Sequence, residues 1–147
     1  MSHVSAYYHI VINTYNRAAN LSIDFSEDLY KYICGIAGQY HCPILAINGT
    51  RNHIHFLLDL HPSCSLSEVM REIKRGTSVW MKRDDRFRKF SRWGKEYFAF
   101  SCSARELNAV KGYISGQREH HGLVSFEDEI ERVVLRNGGE WNDRMLS

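Results

Sequence analysis

The most informative pair of residues in the sequence is formed by the two histidines of His53-Ile54-His55. Side chains alternate between the two faces of a β-strand, so both imidazoles would point to one side and Ile54 to the other. Two parallel imidazoles on a strand can chelate a divalent cation. The pattern alone is weak, because the chain contains eight histidines and such pairs are more often packing or surface residues. His53 and His55 are therefore candidate metal ligands.

A tyrosine and a glutamine four residues apart, Tyr113 and Gln117, would share one face of a helix. A tyrosine hydroxyl can attack a phosphorus centre, and a glutamine carbonyl is a neutral oxygen ligand for a hard cation. Together they could place a nucleophile beside a metal, although a half-buried tyrosine and a surface glutamine would show the same spacing. His120 and His121 follow, and we expect them to pack or contact phosphate rather than take part in catalysis.

Four strands and four helices would have to position these residues. Alternation with β-branched and aromatic residues predicts strands over residues 5–13, 43–48, 53–60 and 97–103. Helical spacing behind capping residues predicts helices over residues 26–40, 67–82, 104–120 and 126–136. Asn48-Gly49 predicts a turn before the third strand, and the basic segment 84–95 is expected to be a flexible loop.

The order of the first six elements is strand, helix, strand, strand, helix, strand. This order predicts an α+β fold with the ferredoxin-like split βαβ arrangement. Its antiparallel sheet would carry two helices on one face, and C-terminal helices would follow. The fold class alone implies no function.

The composition fits a single globular domain over residues 1–147, with 44% hydrophobic and 24% charged residues. No apolar run approaches the roughly 20 residues of a membrane span, and the N-terminus lacks the features of a signal peptide. These features predict a cytoplasmic protein with no membrane partner. The four cysteines lie far apart without a C-x-x-C motif, which argues against a zinc ribbon and a disulfide scaffold.

Positive charge is concentrated in one segment, although the net charge is only +2. Residues 71–95 hold ten of the 19 lysines and arginines. Cationic groups neutralise phosphates and aromatic rings stack on bases, although a solvated helix face would carry the same charges. The interleaved aromatic residues are Trp80, Phe87, Phe90 and Trp93. The best candidates for DNA contacts are Arg83, Arg86, Arg88 and Arg92.

Taken in order, these motifs resemble the single-domain transposases of the IS200/IS605 type, which are HUH endonucleases with one catalytic tyrosine. His53-Ile54-His55 matches the HUH motif within the family-like run 52–58, NHIHFLL. Residues 93–103, WGKEYFAFSCS, are similar to the family's W-x-x-G-Y-x-A-F-S-V-S stretch. Residues 113–121 resemble the nucleophile helix, and residues 126–129 an acidic helix start. Asn52 stands where many members carry aspartate.

The resemblance implies a transposase that cleaves and rejoins single-stranded DNA through a 5′-phosphotyrosine intermediate. It assigns Tyr113 as nucleophile. It assigns His53, His55 and Gln117 as ligands of Mg²⁺ or Mn²⁺. It also implies a single-stranded DNA substrate with hairpins, and a homodimer in which the tyrosine helix of one subunit completes the histidine site of the other.

Two alternatives keep the same sheet. One is a domesticated nicking enzyme that acts on host palindromic repeats, and the other is a non-catalytic nucleic-acid-binding module. A zinc or transition-metal sensor is disfavoured, because the site offers no thiolate ligands.

Overall fold

The secondary structure follows the predicted order of elements. The structure, a computed structural model, describes residues 2–118 and 125–142. The strands are β1 (Tyr7–Asn13), β2 (Ile44–Gly49), β3 (His53–Asp59) and β4 (Phe98–Cys102). The α-helices are α1 (Ser26–Gln39), α2 (Leu66–Lys82), α3 (Leu107–Ser115) and α4 (Phe126–Arg136). Short 3₁₀ turns occur at Tyr15–Arg17, Asp85–Phe87 and Ala104–Glu106.

The four strands form one antiparallel sheet in the order β2-β3-β1-β4. The two central strands pair along their whole length, from Tyr7 opposite Asp59 to Asn13 opposite His53. Helix α1 connects β1 to β2, and α2 connects β3 to β4. This arrangement confirms the predicted α+β, split βαβ fold.

One face of the sheet is covered by α1 and α2 and contains the larger hydrophobic core. From the central strands it receives Ile10, Ile12, Ile54, Phe56 and Leu58. The start of α2 is capped by Ser65, whose hydroxyl accepts a hydrogen bond from the Glu68 N–H at 3.2 Å. The predicted pair of helices on one face is therefore present.

The opposite face of the sheet contacts α3 and α4. Phe126, Ile130 and Val133 of α4 pack with Val11 of β1, and Tyr113 of α3 lies against this smaller cluster. The start of α4 is capped by the Ser125 hydroxyl, which accepts from the Asp128 N–H at 3.2 Å. Residues that point to this second face are thus enclosed between the sheet and the C-terminal helices.

The turn predicted at Asn48-Gly49 occurs about two residues later in the chain. Both residues belong to β2, and the chain reverses at residues 50–52. Gly49 is needed for close strand approach, because a Cβ there would lie 2.4 Å from the His53 carbonyl oxygen.

The helix predicted over 104–120 is also interrupted. A 3₁₀ turn precedes α3, which ends at Ser115. After a turn at Gly116, Gln117 and Arg118 are again helical.

Residues 84–95 do not form the flexible loop expected from their charge. Phe87, Phe90 and Trp93 are buried in the larger core, and the Trp93 indole N–H donates to the Thr77 hydroxyl at 2.9 Å. These three rings are therefore not available as a stacking platform for bases, and that part of the expectation is wrong. Within the described part of the chain, no helix has the length and apolar character required to cross a membrane.

Candidate active site

His53 and His55 lie on the same face of β3, and both side chains are fully buried. The intervening Ile54 points into the larger core on the other face, because successive residues of a strand alternate. On the neighbouring strand, Val11 lies opposite His55 and Asn13 opposite His53. The two imidazoles thus share one side of the sheet, as their spacing predicts, and rest on its two central strands.

The turn that precedes β3 orients the His53 ring. His53 Nδ1 lies 2.7 Å from Asn52 Oδ1 and 2.9 Å from Thr50 Oγ1. An amide oxygen only accepts hydrogen bonds, so Nδ1 carries a proton and donates it to Asn52. The other ring nitrogen, Nε2, faces the interior of the site.

His9 of β1 orients the second imidazole, although the sequence analysis did not identify it. His9 Nε2 lies 2.8 Å from His55 Nδ1. Burial, together with the neighbouring His55, lowers the pKa of His9 to about 3. The neutral His9 ring can accept the Nδ1 proton of His55, and His55 Nε2 then faces the site. Strand alternation could have indicated His9, because residue 9 lies on the same face of β1 as Val11, which is opposite His55.

A buried carboxylate faces both imidazoles. Glu129 Oε1 lies 2.9 Å from His55 Nε2 and 3.4 Å from His53 Nε2, and the side chain is only 1% exposed. Burial raises the pKa of this carboxyl, but hydrogen bonds with His53 and His55 outweigh that effect and hold the pKa well below its usual range. Glu129 is therefore an anion next to two ring nitrogens.

The sequence analysis placed Glu129 in an acidic helix start and gave it no role. A signal was present, because Glu129 belongs to the buried stripe of α4 with Phe126, Ile130 and Val133. A glutamate on the apolar face of an amphipathic helix requires a buried partner. The contact with His55 spans 74 residues, and the partner could not be read from local sequence.

Gln117 reaches the histidines from the segment after α3. Its Oε1 lies 3.2 Å from His53 Nε2, and its side chain is fully buried. The Asn48 amide donates to the Ser115 carbonyl at 3.0 Å, which ties the end of α3 to β2. Gln117 therefore enters the site after a bend at Gly116, rather than from one continuous helix with Tyr113 as the spacing predicted.

Tyr113 lies beside the histidines within the same chain. Its ring centroid is 5.6 Å from that of His55, in an edge-on contact. Burial and the Glu129 carboxylate raise the pKa of Tyr113 to about 12, although a hydrogen bond with Gln117 opposes the increase. A phenol with this pKa needs a proton acceptor or nearby positive charge before it can act as a nucleophile. His120 and His121 lie outside the described residues.

Four acceptor atoms converge next to Tyr113. His53 Nε2, His55 Nε2 and an oxygen of Glu129 lie within 4.8 Å of one another, and Gln117 Oε1 contacts the first of these. Lone pairs brought this close require a proton or a cation between them. Neighbouring ligands of an octahedral ion with bonds of about 2.1 Å are about 3 Å apart, close to the observed separations. These donors fit a divalent cation.

Two of the four arginines expected to bind DNA are engaged within the protein. Arg86 forms ion pairs with Asp28 at 2.5 Å and Asp84 at 2.8 Å. The Arg92 guanidinium lies 3.7 Å above the centre of the Tyr15 ring. Their charges therefore stabilise the local fold of the basic segment.

The other two arginines, Arg83 and Arg88, are exposed. Arg88 lines a cavity of about 340 Å³ together with Arg51 and Lys89. This cavity lies between residues 19–25, the residue 51 turn and the 3₁₀ turn at Asp85–Phe87. Four cationic side chains line it when the paired Arg86 is included, together with the carboxylates of Asp24 and Asp85. The cavity is close to the end of β3 that carries His53, and its cationic groups can contact phosphates.

Comparison with known proteins identifies relatives over most of the chain. A family model described as "Transposase IS200 like" matches residues 2–117. One similar solved structure is a candidate transposase from Deinococcus radiodurans R1, with 18% identity, a TM-score of 0.60, and coverage of 80% of this chain and 95% of that chain. Another is a tyrosine transposase associated with REP sequences and bound to a REP hairpin, with 17% identity, a TM-score of 0.64, and coverage of 90% and 84%. No curated protein matches the sequence.

Proposed function

Because this chain belongs to the IS200-like transposase family, we propose that it cleaves and rejoins single-stranded DNA with Tyr113 as nucleophile. The observation that carries the proposal is the position of Tyr113 against His55, with His53, Glu129 and Gln117 in the same buried site. A tyrosine, two imidazoles and a carboxylate are the groups needed for metal-assisted transfer of a phosphodiester. The transposase assignment comes from the family, and the chemistry at these residues is our inference.

In the proposed cleavage step, the Tyr113 oxygen attacks the scissile phosphorus. An O–P bond to tyrosine forms while the bond from phosphorus to the 3′ oxygen breaks. The phenolic proton passes to solvent or a nearby base, and the departing 3′ oxygen takes up a proton. One phosphoester is exchanged for another, so a 3′-hydroxyl can reverse the reaction and rejoin DNA without ATP.

The proposed ligands are His53, His55 and Glu129, together with Gln117. The hydrogen bonds from Nδ1 of each imidazole keep both Nε2 lone pairs directed at the same point. Mg²⁺ or Mn²⁺ bound there would supply positive charge to the non-bridging oxygens of the phosphate. Glu129 provides the only anionic donor of this set and offsets part of that charge.

The proposed substrate is single-stranded DNA that carries hairpins. A structural neighbour that covers 90% of this chain is bound to a REP hairpin, which makes a hairpin a reasonable first probe. The cationic side chains of Arg51, Arg88 and Lys89 at the 340 Å³ cavity could neutralise the backbone of such a strand. A nicking enzyme that acts on host palindromic repeats would use the same residues, so the test below applies to it equally.

The test is formation of a covalent protein–DNA adduct. The protein is mixed with Mn²⁺ and end-labelled single-stranded oligonucleotides taken from the flanks of its gene. We expect a labelled species that survives denaturation with wild type and is absent with Tyr113→Phe. Tyr97→Phe is the matched control, because Tyr97 is a half-buried tyrosine of the other core cluster and should leave the adduct unchanged.

A non-catalytic binding module predicts a different result. It would bind the oligonucleotides equally well in both proteins and form no adduct in either. Retention of the adduct in Tyr113→Phe would show that another residue is the nucleophile.

A further inference from the structure

A cavity of about 220 Å³ lies directly beside Tyr113, between β4, α3 and the end of α4. Tyr113 forms part of its wall, and so does His9, whose ring centroid is 5.8 Å from that of Tyr113. The cavity therefore lies next to Tyr113, on the side where β4 forms the edge of the sheet. Neither the proposed metal ligands nor the proposed attack by Tyr113 requires this cavity.

The walls of the cavity combine apolar and polar groups. Phe100, Val110 and Val133 supply apolar surface, and the Phe100 ring is only partly buried. Arg136 lies at the exposed end and supplies donors. The Asn137 side-chain nitrogen donates to the Val133 carbonyl at 2.8 Å, which leaves the Asn137 amide oxygen as an acceptor. An aromatic ring with donors and an acceptor around it suits a flat heterocycle with polar edges.

The size of the cavity limits what it can hold. Pockets for drug-sized ligands have volumes of roughly 300–1,000 Å³, so a 220 Å³ cavity suits one ring system rather than a stretch of nucleotides. A base that enters it cannot remain stacked and paired in a duplex. The occupant must therefore come from an unpaired strand.

We propose that this cavity receives the nucleobase next to the phosphate that Tyr113 attacks. The inference rests on the proposed function and extends it to the recognition of one base in the substrate. A base bound here would hold its own phosphate close to the Tyr113 side chain, which forms part of the wall, so binding would align the scissile bond. It would also give a sequence preference at one position beside the cut, because Arg136 and Asn137 contact the edge of the base.

The experiment begins by locating the cut. Wild-type protein, Mn²⁺ and a pool of single-stranded DNA with a randomised segment are allowed to form adducts, and both the linked and the released strands are sequenced. We expect one position flanking the cut to show a base preference of about tenfold. The preferred oligonucleotide is then made again with an abasic residue at that position.

Rates of adduct formation are compared on the intact and abasic oligonucleotides. Ala109→Phe places a ring in the cavity from α3, and Asn108→Phe adds the same bulk at an exposed neighbour that does not line it. Wild type and Asn108→Phe should be about tenfold slower on the abasic strand. Ala109→Phe should be slow on both strands, with equal rates, because its cavity is already filled.

A second variant guards against a folding defect in Ala109→Phe. Arg136→Gln keeps the cavity open and should reduce the ratio between the rates on the preferred base and on the other bases. The proposal is wrong if loss of the base slows wild type and Ala109→Phe by the same factor, or if the base has no effect on wild type. Absence of any wild-type adduct would overturn the proposed function itself, and this inference with it.

Discussion

Both ring nitrogens of His55 are engaged by buried groups. Nδ1 contacts the neutral His9 and Nε2 contacts the carboxylate of Glu129. His53 is held in the same way by Asn52 on one side and by Gln117 and Glu129 on the other. At the residue scale, the site thus consists of two oriented imidazoles that contact one carboxylate oxygen of Glu129. The spacing of the histidines in the sequence gives no indication of this oxygen.

The substitution Glu129→Gln tests whether that oxygen is a metal ligand. The amide keeps the size of the side chain but removes its charge, so we expect Mn²⁺ affinity to fall by roughly 10- to 100-fold. Gln117→Ala should weaken binding less, because water can replace a neutral oxygen ligand. Affinity is measured from the electron paramagnetic resonance signal of free Mn²⁺ during titration.

Asp128→Asn is the matched control for Glu129→Gln, since it removes one carboxylate from an exposed position of the same helix turn. Its affinity for Mn²⁺ should equal that of wild type. If Glu129→Gln binds Mn²⁺ normally and Gln117→Ala does not, the ligand set is the one predicted from the sequence and Glu129 lies outside it.

The basic segment offers a second prediction at the scale of single residues. Arg88→Ala should reduce the slope of log K against log salt by about 0.7 for single-stranded DNA, the value for one released counterion. Arg86→Ala should leave the slope nearly unchanged, because Arg86 is already paired with Asp28 and Asp84. Fluorescence anisotropy of a labelled hairpin oligonucleotide over a series of salt concentrations measures both slopes, and equal slopes in the two variants would contradict the assignment.

At the scale of elements, α4 matters because its first turn carries Glu129. Ser125→Ala removes the cap of α4, and we expect a loss of about 1 kcal/mol in the free energy of unfolding. Because the first turn of α4 would fray, Mn²⁺ affinity should decrease as well. Urea denaturation and Mn²⁺ titration measure the two effects separately.

Ser65→Ala provides the control for Ser125→Ala. Ser65 caps α2 with the same 3.2 Å hydrogen bond, but α2 carries none of the proposed ligands. The two variants should be destabilised by similar amounts, and only Ser125→Ala should bind Mn²⁺ more weakly. Equal Mn²⁺ affinities would show that the position of Glu129 does not depend on the cap.

The elements of this fold could be predicted from the sequence because their signals are local. Alternation located the strands, and the capping box of Ser103 and Glu106 located a helix start. The turn at Gly116 was missed; there the Asn48 side chain, 67 residues away, donates to the Ser115 carbonyl. A periodic pattern on one helix carries no information about such a contact.

The burial of Phe90 and Trp93 was missed for a related reason. Both lie in a segment whose charge predicts exposure, but they pack in the larger core, where Thr77 of α2 accepts the indole N–H of Trp93. For the site, spacing placed His53 and His55 on one face, but the groups that orient and complete it come from other strands and helices. Local sequence therefore located the histidines, while His9 and Glu129 required the tertiary structure.

At the scale of the whole molecule, one chain brings together Tyr113, Gln117 and both histidines. The family resemblance implied instead that the tyrosine helix of a second subunit completes the site. These two arrangements place the same groups together and differ only in which chain supplies Tyr113. They can be separated with two inactive variants, Tyr113→Phe and His53→Ala, each of which lacks one half of the site.

We expect each variant alone, and their mixture, to form no covalent adduct, because no chain in the mixture contains a complete site. If subunits exchanged tyrosine helices, half of the dimers would be mixed and each would hold one intact site, so about a quarter of wild-type activity would return. The two variants are unfolded, mixed and then refolded together, so that any dimer can form. The adduct assay and the mass measured by light scattering then report on the same sample. A restored adduct would show that catalysis does not use the arrangement within one chain. No adduct in a monomeric sample would show that Tyr113 and the two histidines act from the same chain.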